Sequence, residues 1–204
     1  MAHMGFSRED FEVFGIPTFP ERMQGIKERL RPKLTALGES LQPALTKLTR
    51  SDVFPHVAKH ARRTVNPPPE TWVAFGPSSR GYKKYGYFGL ALSRGGVHTR
   101  VVVKDEAPDR PQMAKGLIER ADVLAAVFAG HTIARYDRWN YLGIPEVSTP
   151  TADFWQEVAE ALAKKTGGLD VGVGWPVDRA LKLTDKQILA GFRALLPLYE
   201  ITRA

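Results

Sequence analysis

The chain has 204 residues, 43% of them hydrophobic and 25% charged, which suits one soluble domain, and no run approaches the roughly 18 apolar residues that a membrane crossing needs. It has no cysteine, which excludes disulfides, thiol catalysis and thiolate metal sites. The net charge of +7 is uneven, because ten Lys and Arg between Arg50 and Lys104 face only Asp52 and Glu70 while the remainder is near neutral, a concentration that points to an anionic partner.

Residues 1–4, MAHM, read as an expression-tag remnant, leaving 5–204 as a single domain. A charged SRED follows Phe6 where a signal peptide would need apolar residues, so a cytoplasmic protein is expected. Ser7 to Phe14 predicts a short helix, with Ser7 as N-cap and Asp10 at its positive end. Pro17 and Pro20 bracket a turn, and Pro20 suits the first turn of the next helix. From there Ile26, Leu30, Leu34, Leu37, Leu41, Leu45 and Leu48 recur at steps of three or four, a helical core stripe. Pro32 and Pro43 should kink it or divide it into shorter helices.

Phe54 to Arg63, FPHVAKHARR, also reads as a helix, capped by Ser51 or Asp52. Phe54, Val57, Ala58 and Ala61 form an apolar side, and His56, Lys59, His60 and Arg63 form a cationic one with Arg62 beside them. Three prolines from Pro67 to Pro69 end it. Thr71 to Phe75 predicts a strand, and Gly76 to Gly86, with Ser78, Ser79, Arg80, Lys83 and Lys84, a loop. Tyr87–Ser93 and Val97–Lys104 predict a hairpin across Arg94-Gly95-Gly96, the second strand having one buried face and one charged face through His98, Arg100 and Lys104. Asp109 begins a helix that runs through Phe128 to Gly130. Residues 131–150 are an edge strand or an ordered loop. Thr151 caps a helix closed by Gly167-Gly168, Leu169–Trp175 is a strand, and Thr184 caps the last helix.

HVAKHARRTVNPPPETWVAF followed by RGYKK, with DFEVFGI, ERM and RPKLTALGESLQPAL upstream and ALLPLY near the end, resembles the YktB-like family of bacterial proteins of unknown function; the likeness weakens between Arg110 and Arg179. The resemblance implies a compact α+β domain with an antiparallel or mixed central sheet flanked by helices. By analogy its topology groups with the catalytic domains of class II synthetases and biotin ligases. It implies no activity.

His56, Lys59, His60, Arg62, Arg63, Arg80, Lys83, Lys84 and Arg100 are the candidate contacts for a phosphate-rich ligand, with nucleic acid favoured over a nucleotide or phosphorylated metabolite. The competing structural reading is a solvated stripe or cations paired with internal acids. A third reading is a protein-interaction face for an acidic partner. His56 and His60 stand four apart like half of a helical metal site, but no third ligand follows and the cations oppose a dication, so no metal and no cofactor are expected. No catalytic residue is assigned; His60 is the one candidate for proton transfer. Asp137, Asp170 and Asp178 show no diagnostic spacing, and GVG at 172–174 lacks the rest of a dinucleotide fingerprint. Trp72, Tyr82, Tyr85, Tyr87, Tyr136, Trp139 and Tyr141 could stack bases beside the cations, though scattered aromatics are more often core and rim residues. The residues do not set an oligomeric state.

Overall fold

The structure, a computed structural model, describes residues 5–137 and 147–203. It begins with α1 (Arg8–Glu12), where the Asp10 carboxylate accepts from the Ser7 backbone N–H at 2.8 Å, and a 3-10 turn over Val13–Gly15. Then α2 (Phe19–Gly25), a π-helical turn over Ile26–Leu30 and α3 (Arg31–Thr49) follow without a loop between them. The leucine stripe from Ile26 to Leu45 is buried along its length. The two prolines act differently. Pro32 has no N–H and its ring crowds the carbonyl four residues back, and the widened π turn just upstream accommodates both. Pro43 lies inside α3 without ending it. Its outward side and that of Glu39, whose carbonyl loses a partner, are exposed to water.

The main revision concerns Phe54 to Arg63. It is not a helix. Phe54–Val57 is β1, an edge strand, and residues 58–69 form an irregular loop. Pro55 is tolerated there because an edge strand need not use every N–H. Next come β2 (Glu70–Gly76), β3 (Gly86–Ser93) and β4 (Gly96–Val103), so the expected strand and hairpin are present. The expected long helix from Asp109 is two, α4 (Arg110–Glu119) and α5 (Ala121–Val127), broken at Arg120. β5 (Ile133–Arg135) and β6 (Val147–Ser148) occupy part of the undecided stretch. Then α6 (Ala152–Ala163) starts at Thr151, whose hydroxyl accepts from the Phe154 N–H. β7 (Leu169–Pro176), α7 (Val177–Ala180), α8 (Asp185–Ala194) and α9 (Leu196–Ile201) complete the chain, with Thr184 and Gln187 capping α8 reciprocally.

Among the described residues the strands form one antiparallel seven-stranded sheet in the order β1-β2-β3-β4-β7-β5-β6. This is an α+β fold. Side chains alternate across each strand, and the two sheet faces differ sharply. Val73, Phe75, Phe88, Leu90, Leu92, Val97, Val101, Val171 and their neighbours join the helices in the main core. The opposite face carries His56, Glu70, Trp72, Tyr87, His98, Arg100 and Asp170, with the small residues Ala74, Gly89, Ala91, Gly172 and Gly174 between them. Among the described residues its apolar cluster is Ala74, Tyr87 and Val102 with Trp72 and Tyr82 against it, none of them from a helix. Among the described residues, no helix is long and apolar enough to cross a membrane.

Candidate functional site

The face not used by the helices carries a cavity of about 790 Å³, formed by the end of β1, the loop after it, Trp72 of β2 and residues 78–85. Eight of the nine candidate contacts line it: His56, Lys59, His60, Arg62, Arg63, Arg80, Lys83 and Lys84. They meet through strand and loop geometry, not along a helix. The loop keeps contact with the sheet because the Ala58 N–H donates to Trp72 O at 2.9 Å, and the chain then turns, with the Arg63 N–H donating to His60 O at 3.0 Å. The two wall segments are joined by His56, whose Nε2 lies 2.8 Å from Ser78 O. Since a carbonyl only accepts, Nε2 carries the proton and Nδ1 is left with its lone pair when the ring is neutral. Gly76 is required at the base of the second wall, because a Cβ there would stand 2.6 Å from Tyr82 Cβ.

The lining is aromatic inside and cationic at the edge. Trp72 and Tyr82 are half-buried, and Trp72 Nε1 donates to the Tyr82 hydroxyl at 3.1 Å. That leaves the phenolic proton free to donate elsewhere. Burial holds the Tyr82 hydroxyl above its ordinary pKa, although the Trp72 bond and Lys83 pull the other way, so it stays protonated. His60 stands edge-on to Trp72 at 5.3 Å between ring centroids, and its Nε2 is 3.1 Å from Thr71 Oγ1. Burial, reinforced by Arg63 and Arg31 and opposed by Glu70, pushes the His60 imidazole down to about 4; it is therefore neutral at neutral pH. Its backbone has φ 51°, in the left-handed region, a strain for a non-glycine residue that often accompanies a functional position.

Lys59, Arg62, Arg63, Arg80, Lys83 and Lys84 are all exposed. Among the described residues only Lys83 has an ion-pair partner, Glu106 at 2.9 Å. The other five are unneutralised, as an anion-receiving surface requires. Arg31, whose guanidinium donates to Lys59 O at 3.4 Å and whose charge lowers the His60 pKa, and Lys104, 5.9 Å from the Trp72 ring, also stand close. Sequence reasoning missed both, since Arg31 sits in a helix stripe and Lys104 at a strand end. Among the described residues no three His, Asp or Glu side chains gather as a metal site.

Arg100 is the exception among the nine. β4, between β3 and β7, is buried on both faces, and Arg100 is 3% exposed. Its guanidinium bonds Asp170 at 3.0 Å and Glu70 more closely, beneath the Tyr136 ring at 4.9 Å. Gly172 makes this possible, since a Cβ there would meet Thr99 O and stand 2.7 Å from Arg100 Cγ. Burial works against the Arg100 charge, but Asp170 and Glu70 outweigh it and hold the pKa above its usual value. Burial in turn lifts the Asp170 carboxyl to about 6 despite the pull of Arg100 and Lys104. Arg100 thus belongs to an internal ion network. His98 on the same face is fully buried and bonded to Ser93 Oγ at 3.0 Å and the Tyr136 hydroxyl at 3.1 Å. Asp137 is held by Arg135 and Asp178 by Arg8, and Trp139 and Tyr141 lie outside the described residues.

Residues 6–199 match the family described as a domain of unknown function, DUF1054. The chain belongs to the DUF1054 family. Its DUF1054 relatives include a UPF0637 protein of Bacillus velezensis, 34% identical over 100% of this chain and 99% of the relative. Another, from Oceanobacillus iheyensis, is 30% identical over 97% and 96%, and one from Bacillus thuringiensis is 34% identical over 96% of each. The YktB-like resemblance carried by HVAKHARRTVNPPP and its flanks agrees with this membership. DUF1054 membership assigns no chemistry, so function rests on the site.

Proposed function

We propose that this DUF1054 protein is a cytoplasmic binding module for phosphate-rich ligands, nucleic acid foremost. One observation carries the reading: five exposed cations, Lys59, Arg62, Arg63, Arg80 and Lys84, line a single cavity, and among the described residues no acid pairs with them. Arg forks and Lys ammonium groups are the side chains that bind phosphate oxygens. Fluorescence anisotropy with a labelled oligonucleotide tests it. The Arg62→Ala/Arg63→Ala double variant should bind at least about tenfold more weakly at low salt, as two lost phosphate contacts imply. Wild-type affinity in that variant would end the proposal, and both side chains are exposed, so folding is not at issue.

A second reading, an enzyme acting on a nucleotide or a phosphorylated small molecule, draws on His60. Its imidazole is neutral at neutral pH and borders the cavity in a strained backbone conformation, which suits a proton acceptor once a bound phosphate raises its basicity. Turnover of a phosphate ester that vanishes in His60→Gln while ligand affinity persists would favour the enzyme over the binding module.

A further inference from the structure

We infer that the cavity receives a single-stranded nucleic acid, with an unpaired base packed against the Trp72, Tyr82 and Tyr85 side chains while the neighbouring phosphates meet the cations of the two wall segments. The inference rests on the phosphate-ligand reading above and names the form that ligand takes.

Three features support it. First, aromatics and cations share one lining. Of the seven aromatics that could have stacked bases, Tyr87 and Tyr136 are buried in the sheet face, whereas Trp72, Tyr82 and Tyr85 border the cavity. A site that touches only phosphates has no need of an aromatic interior, because duplex backbones are read by cations and N–H groups from outside. Interleaved aromatics and cations are what an unpaired strand uses, since every base offers a face to stack and the backbone follows the charge. Tyr85, 38% exposed, is placed at the mouth, where an incoming base would cover it.

Second, size. About 790 Å³ falls within the range of roughly 300–1,000 Å³ typical of pockets for molecules of nucleotide dimensions. A base stacked inside a duplex cannot enter such a recess without being flipped out, which costs unstacking energy that a single strand does not incur.

Third, the polar groups of the interior have hydrogen-bonding capacity to spare. Tyr82 has its hydroxyl proton free after accepting from Trp72, and His56 has Nδ1 free after Nε2 donates to Ser78. His60 presents a neutral ring. These groups can pair with the donors and acceptors on the edge of a base. The cationic side chains are the exposed ones and the hydrogen-bonding groups of the interior are half-buried, which matches the layout of a nucleotide.

The test compares three labelled probes of about 12 nucleotides, within the span of such sites: oligo-dT, an abasic strand with the same phosphates, and a duplex. Oligo-dT should bind tightest, with the abasic strand weaker by about tenfold for each base that stacks. Tyr85→Ala should weaken oligo-dT and leave the abasic strand unchanged. Oligo-dT, and not the abasic strand, should quench tryptophan fluorescence, and the quench should disappear in Trp72→Phe. Equal affinity for all three probes, or preference for the duplex, with Arg62→Ala/Arg63→Ala still weakening every one, would overturn the inference and leave phosphate binding standing. Failure of every probe to bind would remove both.

Discussion

Arg100→Met replaces a buried cation with an apolar side chain of similar length, and the structure sets the size of the effect. The guanidinium is 3% exposed and bonds two carboxylates, Glu70 and Asp170. Removing one partner of a buried pair costs about 3–5 kcal/mol because the other charge is left uncompensated. Here two acids are left, but their side chains remain 11% and 14% exposed and water can relieve part of the cost, so about 4 kcal/mol is expected. For a chain of 204 residues at about 2.1 cal/mol/K per residue, that lowers Tm by about 10 °C. The pH dependence gives a second, independent signature. In the native protein Asp170 has its pKa raised to about 6. It therefore binds more protons folded than unfolded between its ordinary value and about 6, and its effect on stability becomes less favourable as pH rises through that window. Without Arg100 the Asp170 carboxyl moves further up, the loss steepens, and the gap between variant and wild type widens from about pH 5 to about pH 8. Thermal and urea unfolding at the two pH values measure it, and Asp170→Asn added to Arg100→Met should recover part of the loss at pH 8. A gap below about 1 kcal/mol, the scale of a surface ion pair, or one that does not change with pH, would refute the assignment of Arg100 to a buried charge network.

Two further predictions concern the cavity. With five unpaired cations engaged, log Kd for a single strand should vary with log salt at a slope of about 3.5, so affinity falls about 100-fold between about 50 and 200 mM salt, and the Arg62→Ala/Arg63→Ala variant should lose about 1.4 of that slope; a titration series showing no change in slope would count against direct phosphate contact. His60, with its pKa lowered to about 4 by burial, binds fewer protons folded than unfolded between that value and its ordinary one, so its share of stability is present above that window and lost as pH falls through it. His60→Gln should flatten the acid limb of the stability curve, and a ring titrating near 6.5 by NMR would show the burial argument to be mistaken.

Much of the architecture was legible because periodicity records it. The leucine stripe from Ile26 to Leu45, the 71–75 strand, the hairpin expected across Arg94-Gly95-Gly96 and the Thr151 and Thr184 caps all occupy the expected elements. Phe54 to Arg63 reads as a helix and folds otherwise for a physical reason. Its apolar residues at i, i+3, i+4 and i+7 fit a helix, but a four-residue edge strand followed by a turn satisfies the same residues, and nothing local decides between them. What decides it is pairing with β2 in the register Phe54↔Gly76. The clustering of cations survived the error because charge density belongs to the segment and not to its conformation. Arg100 shows the opposite limit. An alternating strand with polar residues on one face reads as half-solvated, yet both faces of β4 are buried, and the acids that neutralise Arg100 lie 30 and 70 residues away. Long-range pairing of that kind leaves no periodic trace.

The same sheet face thus holds two kinds of positive charge with opposite duties. Arg100 is buried, paired with Glu70 and Asp170, and bridges strands β2, β4 and β7. The network lies beside Trp72, which borders both the cavity and the small void around Arg100 and Asp170. The cavity cations stand on loops, exposed and mostly unpaired, where they add little to stability and keep their charge available. A frame stiffened by internal ion pairs can hold an aromatic floor in position while mobile cationic side chains adapt to a charged ligand. The consequence is separability: substitutions at Arg62, Arg63, Arg80 or Lys84 should change affinity without changing Tm, and substitutions at Glu70, Arg100 or Asp170 should change Tm first. Measuring both quantities on both sets distinguishes a binding surface built on a frame from a charged patch with no role, because only the former yields variants that lose ligand and keep their fold.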